Sequence, residues 1–200
     1  GNYLTLARAL GAAKPLFGID AIRDRSFVLA HGTGTPQNRV TESHGINEAA
    51  KVFGIEHWPV SAIKCYVGHS LGPAAGDQMN SALGTWKYGY IPGIFTLDQI
   101  AEDVHCSNLK MSQQHLEVGA ENIDLAFVNT KGFSGNNATG TMISPLKTMQ
   151  MLEKKHGAAT IKNHKTKNEP VIEKAESYDQ AAICGLTKPI YNFRTGVLNG

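Results

Sequence analysis

Cysteine is scarce and unpatterned in this chain: Cys65, Cys106 and Cys184 are the whole set, with no CxxC and no Cys/His spacing suited to zinc. An odd, scattered set points away from a disulfide framework and fits a reducing compartment. No metal is expected. Long apolar runs are missing too. None approaches the roughly 20 residues of a membrane-spanning helix, and the N-terminus lacks a charged segment followed by an apolar one. Charge of one sign is also absent, since 19 Lys+Arg against 17 Asp+Glu leave a net +2 with no basic block interleaved with aromatics. Neither nucleic acid nor a membrane is an expected partner, and the cytoplasm is the expected location. Gly32-x-Gly34 lacks the third glycine of a dinucleotide loop and the Lys-Ser/Thr of a P-loop, so no nucleotide site is expected there.

What remains is an ordinary globular composition with an α/β rhythm. Helical spacing of Leu4, Leu6, Ala7 and Leu10 predicts a helix over 4–13, and residues 26–30 read as a strand. A helix is expected over 41–53, a connection ended by Trp58 and Pro59, and a second strand over 62–67. A further helix should run over 73–88, with Pro73 in its first turn. Residues 93–97, 114–118, 123–129 and 138–143 read as strands, the last two forming a hairpin. The pattern predicts a mixed β-sheet covered by helices. Composition changes near residue 146. Residues 147–200 hold nine Lys/Arg against five Asp/Glu, about +4, so the expected organisation is a domain over 1–146 and a basic extension over 147–200. In the extension, helices are expected over 149–156 and 175–183, with a solvated loop over 164–170. Ile183, Leu186, Ile190, Tyr191, Phe193, Val197 and Leu198 suggest that part of it is buried.

Two histidines stand in glycine-rich turns: His31 in Ala30-His31-Gly32-Thr33-Gly34-Thr35-Pro36, and His69 in Lys64-Cys65-Tyr66-Val67-Gly68-His69-Ser70-Leu71-Gly72. Each follows an apolar run, so both imidazoles should lie where a strand ends, placed to converge on one substrate. A third element is Asn129-Thr130-Lys131-Gly132-Phe133-Ser134-Gly135-Asn136-Asn137. In order and approximate spacing the three resemble the C-terminal half of the β-ketoacyl synthases, condensing enzymes of fatty-acid and polyketide synthesis with a thiolase-like fold. The resemblance runs from residue 4 to about 144. It implies one half of an α-β-α-β-α core, and the nucleophilic cysteine of the family's N-terminal half has no counterpart here.

The resemblance implies that His31 and His69 stabilise the enolate formed by decarboxylation of a malonyl thioester. It implies that Thr33 and Thr35 contact the phosphopantetheine arm of an acyl carrier protein, with no other cofactor. Lys64 matches the family lysine and Glu42 its acidic partner; a Lys64–Glu42 pair would satisfy a buried ammonium and orient the histidines. Phe133, flanked by Gly132, matches the residue whose turn gates the acyl pocket. Arg39, Lys131 and Ser134 depart from the family's usual Asp, Phe and Gly. Cys65, on an alternating strand, would point away from its neighbours as an inert core thiol. The expected partners are the carrier protein, the missing N-terminal half and a second copy of the full-length protein. The expected activity is decarboxylative condensation by that full-length protein, the isolated fragment being inactive. The alternatives are a non-condensing subunit resembling a chain-length factor or scaffold, and a thiolase-type acyltransferase, for which Cys184-Gly185 is the nearest motif.

Overall fold

The computed structural model describes residues 1–188. Two helices, α1 (Asn2–Phe17) and α2 (Ile19–Arg23), lead into strand β1 (Ser26–Leu29), followed by α3 (Pro36–Phe53) and β2 (Trp58–Ser61). A single helical turn, α4 (Lys64–Val67), precedes α5 (Ala74–Tyr88). Three two-residue strands come next, β3 (Tyr90–Ile91), β4 (Leu109–Lys110) and β5 (Leu116–Glu117). The hairpin β6 (Leu125–Lys131) and β7 (Asn137–Ile143) follows, and then α6 (Pro145–His156) and α7 (Ala158–Ile183).

The main sheet has the order β4-β2-β1-β6-β7, all neighbours parallel except the β6–β7 hairpin. This is the mixed sheet covered by helices that the sequence pattern predicts. Alternation along the central strands divides the core between the two faces. Val28, Leu125 and Phe127 pack with Leu6, Leu10, Ile46 and Trp58 on the α1/α3 side, while Phe27, Leu29, Ala126 and Val128 pack with Ala82 and Trp86 of α5. Among the described residues, no helix is long and apolar enough to cross a membrane.

Several expected boundaries move. The second strand is β2, four residues earlier than residues 62–67, and that apolar run instead turns into α4. Trp58 and Pro59 open the strand rather than end the connection before it. Pro59 stands inside the sheet, in register with Lys110 of β4, while Val60 and Ser61 are in register with β1. Helix α3 begins at Pro36 rather than 41, and Pro73 is the N-cap of α5 rather than a first-turn residue. Residues 93–97 form a turn, and only Leu116 and Glu117 of 114–118 are extended, paired with β3 outside the main sheet.

The chain divides into two compact units, Gly1–Met149 and the remainder from Gln150. In the second unit, residues 164–170 are not a loop but part of α7, a helix of 26 residues that carries Pro170 within it. Ile183 and Leu186 are 77% and 73% exposed, so the expected burial fails for them. Residues 190, 191, 193, 197 and 198 lie outside the described residues.

Trp58 is fully buried against the ring of Phe127, and its indole N–H donates to Ser26 Oγ at 2.9 Å. Trp58→Phe removes that bond and leaves a gap in the core. A loss of about 2–3 kcal/mol is expected in chemical denaturation; a change under about 0.5 kcal/mol would show that this contact does not hold β1 to β2.

Candidate active site

The site is built at the carboxyl ends of β1, β2 and β6. Gln78 of α5, fully buried, sets the spacing there: its side-chain amide donates to the carbonyls of Leu29 (3.0 Å), Ala30 (2.8 Å) and Asn129 (3.1 Å). One side chain thereby ties the end of β1 to the end of β6. Beyond β1 the chain turns at Gly32, whose φ is +56°. A Cβ there would lie 2.6 Å from the Ala62 Cβ, so the first motif needs glycine for both backbone shape and space.

Glu42, on the second turn of α3 and 4% exposed, holds this turn in place. Its Oε1 accepts the His31 main-chain N–H (2.8 Å) and the Asn129 side-chain amide (2.6 Å). Its Oε2 accepts the Gly32 N–H (2.9 Å) and the Asn38 side-chain amide (2.9 Å). Four neutral donors satisfy the carboxylate. The expected Lys64–Glu42 ion pair is absent from the ion pairs of the described residues. Lys64 Nζ is buried with no hydrogen-bond partner. Burial lowers the Lys64 pKa from its ordinary value, against the opposing fields of Glu42 and Asp77. Glu42 still acts on Lys64, but as a field.

The two imidazoles meet as the sequence predicts, although His69 follows the helical turn α4 and not a strand, with ring centroids 5.2 Å apart and planes 83° to one another. His31 is 7% exposed, whereas His69 is exposed. Each ring accepts a main-chain N–H at Nδ1: His31 from Lys131 (3.3 Å) and His69 from Leu71 (3.1 Å). A neutral imidazole whose Nδ1 accepts must carry its proton on Nε2. Both rings are therefore set as Nε2–H donors. Burial, followed by the Lys64 charge, lowers the His31 pKa below the ordinary imidazole value, with Glu42 opposing.

A pocket of about 620 Å³ lies beside the histidines, and its wall includes Gly32, Thr33, Glu42, Lys64, Cys65 and His69 together with apolar Ile46, Val60, Leu97 and Met111. Thr35 is outside that wall, 3.3 Å from Thr33 between hydroxyl oxygens. Cys65 is half-buried in α4 and lines the pocket, so it is not the core thiol on an alternating strand that the sequence predicts. The β6–β7 turn carries Gly132 and Phe133 on the surface, Phe133 being 85% exposed, and neither lines the pocket. Ser134, where the resemblance leads one to expect glycine, takes φ +60° in the left-handed region. Arg39 forms a two-pronged pair with Asp103 at 2.9 and 2.8 Å, bracing α3 against the loop over 98–106.

Asn38, Gln78 and Asn129 are the site residues to which sequence reasoning assigns no role. Only Asn129 had a signal, its place at the head of the third motif.

A mostly parallel sheet with two imidazoles at its carboxyl edge, beside a glycine-rich hairpin turn, is the thiolase-like ketosynthase fold. Residues 7–98 match the family model described as the β-ketoacyl synthase C-terminal domain. It is 48% identical over 193 residues to the β-ketoacyl-acyl-carrier-protein synthase FabY of Pseudomonas aeruginosa, a match covering 96% of this chain and 30% of that protein. The crystal structure of FabY from P. aeruginosa superposes with a TM-score of 0.91 at 47% identity, covering 98% of this chain and 31% of that one. A 3-oxoacyl-acyl-carrier-protein synthase 2 of Vibrio cholerae is 29% identical over 113 residues, 56% of this chain and 26% of that protein. The chain thus spans about a third or less of the relatives it matches. The 193-residue FabY match necessarily extends into the helices after Met149.

Glu42→Gln would face main-chain N–H groups with an amide that cannot accept at both ends. A loss of about 2–4 kcal/mol is expected in urea unfolding, since bonds to a charged acceptor contribute about 1.5–3 kcal/mol each. Unchanged stability would show that the carboxylate does not organise the turn.

Proposed function

We propose that this chain is the C-terminal part of a β-ketoacyl-acyl-carrier-protein synthase, supplying His31 and His69 to a nucleophilic cysteine carried by an N-terminal half. The observation that carries the reading is the shared tautomer: two Nδ1 atoms occupied by main-chain N–H groups leave two Nε2–H donors on rings whose centroids are 5.2 Å apart. Decarboxylation of a malonyl thioester releases CO2 and passes the bonding pair into an enolate, placing charge on the thioester oxygen. Donors fixed beforehand lower the energy of that charge without reorganising. The enolate carbon then attacks the acyl-cysteine carbonyl, and the cysteine thiolate leaves as the β-ketoacyl thioester forms.

In this reading the pocket beside His69 receives the thioester end of the carrier's phosphopantetheine arm, with Thr33 on its wall and Thr35 hydrogen-bonded behind it. Lys64 adds a positive field at the same place. Phe133 and Gly132, on an exposed turn that begins where Lys131 holds His31, gate the acyl chain. Exposed Met79 and Leu83 on α5 give an N-terminal half an apolar face to cover. The full-length protein acts as a homodimer with an acidic carrier protein as partner. The thiolase alternative has little support, because Cys184 is an exposed thiol at the end of α7.

In the full-length protein, His31→Ala and His69→Ala should each reduce malonyl decarboxylation about 10²–10³-fold, the typical cost of one oxyanion donor, while radiolabelled self-acylation of the cysteine persists. The acid limb due to His31 should lie below about pH 6.5, the unperturbed imidazole value. Normal decarboxylation in both variants would sink the donor assignment. The 200-residue chain alone should form no β-ketoacyl product; product abolished by Cys65→Ala would instead make Cys65 the nucleophile. A full-length protein that decarboxylates nothing and acylates nothing would be the scaffold.

A further inference from the structure

Lys131 stands where the resemblance leads one to expect phenylalanine, and it touches the His31 assembly twice. Its main-chain N–H donates to His31 Nδ1 at 3.3 Å. Its ammonium donates to Asn38 Oδ1 at 2.8 Å, with Thr41 Oγ1 farther off at 3.5 Å. The Asn38 amide donates to Glu42 Oε2, and Glu42 Oε1 accepts the His31 main-chain N–H. The four residues close a ring, Lys131 to Asn38 to Glu42 to His31 and back to Lys131, joining β6, the first turns of α3 and the turn after β1. A phenylalanine supplies the main-chain link but not the side-chain one.

We propose that Lys131 is a positioning residue for His31, its ammonium closing a hydrogen-bonded ring that fixes the imidazole's place and keeps a positive charge beside it. This rests on the reading that His31 donates to the enolate. The ring has two consequences. First, the end of β6 at Lys131 cannot move away from α3 without breaking the Lys131–Asn38 bond. Second, the charges facing His31 are Lys131 from β6, Lys64 from α4, Glu42 from α3 and His69 from the turn before α5. Lys131 is one of the positive members that disfavour an imidazolium, and burial lowers its own pKa with Glu42 opposing. Removing its charge therefore makes His31 easier to protonate.

The test is the pH profile of malonyl decarboxylation by the full-length protein carrying Lys131→Met, Lys131→Arg or His31→Ala. Lys131→Met should lower kcat about tenfold, in line with the rate sensitivity to small misplacements. It should leave KM and self-acylation near their starting values and move the acid limb to higher pH. Lys131→Arg, which keeps the charge, should leave the limb in place. If Lys131→Met keeps the original kcat and acid limb while His31→Ala abolishes decarboxylation, Lys131 is not a positioning residue. If His31→Ala is also without effect, the donor reading itself fails. Should Lys131→Met not fold, Asn38→Ala opens the same ring from the other side: reduced kcat with KM kept supports the proposal, and unchanged kcat overturns it.

Discussion

Glu42 brings three separate pieces of chain to one pair of oxygens. The turn after β1 gives two main-chain N–H groups, α3 gives the Asn38 amide, and β6 gives the Asn129 amide. A carboxylate taken out of water is costly unless its lone pairs are met. Here they are met by neutral groups that have few alternative partners. The arrangement is rigid for that reason, because moving any one element strands both a donor and part of a buried charge. Gln78 performs the complementary task with the opposite polarity, giving N–H groups to the carbonyls at the ends of β1 and β6.

The chemistry of the site follows from this frame. With the ends of β1 and β6 fixed, the Lys131 N–H meets His31 Nδ1, and the short turn after Gly68 folds the Leu71 N–H onto His69 Nδ1. Leu71 takes φ +62° to do so, an uncommon conformation for a branched side chain. Neither imidazole has a carboxylate as a direct hydrogen-bond partner among the described residues. A carboxylate at Nδ1 would favour the imidazolium, whereas a main-chain N–H at Nδ1 favours the neutral Nε2–H form. The buried negative charge is instead spent one step back, on His31's main chain.

The glycine-rich motifs made the location of the histidines legible, and the alternation of 26–30 and 123–129 made the central strands legible. The failures have physical causes. A short apolar run such as 62–67 does not show by periodicity whether it is strand or helix, and a proline beside Trp58 looks like a terminator, yet Pro59 is in register with Lys110 of β4. Pro170 suggested a break, yet α7 carries it on an exposed surface. Gln78 was invisible because a glutamine in a helical segment ordinarily faces water. The resemblance implies a Lys64–Glu42 pair, but Glu42 has its lone pairs filled by neutral donors that sequence reasoning does not count.

The most direct test of this account is the tautomeric state of His31 and His69, read from long-range ¹H–¹⁵N correlations of the imidazole nitrogens in the full-length protein at about pH 8, above the ordinary imidazole range. Both rings should show a protonated Nε2 and an unprotonated Nδ1. A proton on Nδ1 of either ring would contradict the claim that the fold presents two Nε2–H donors.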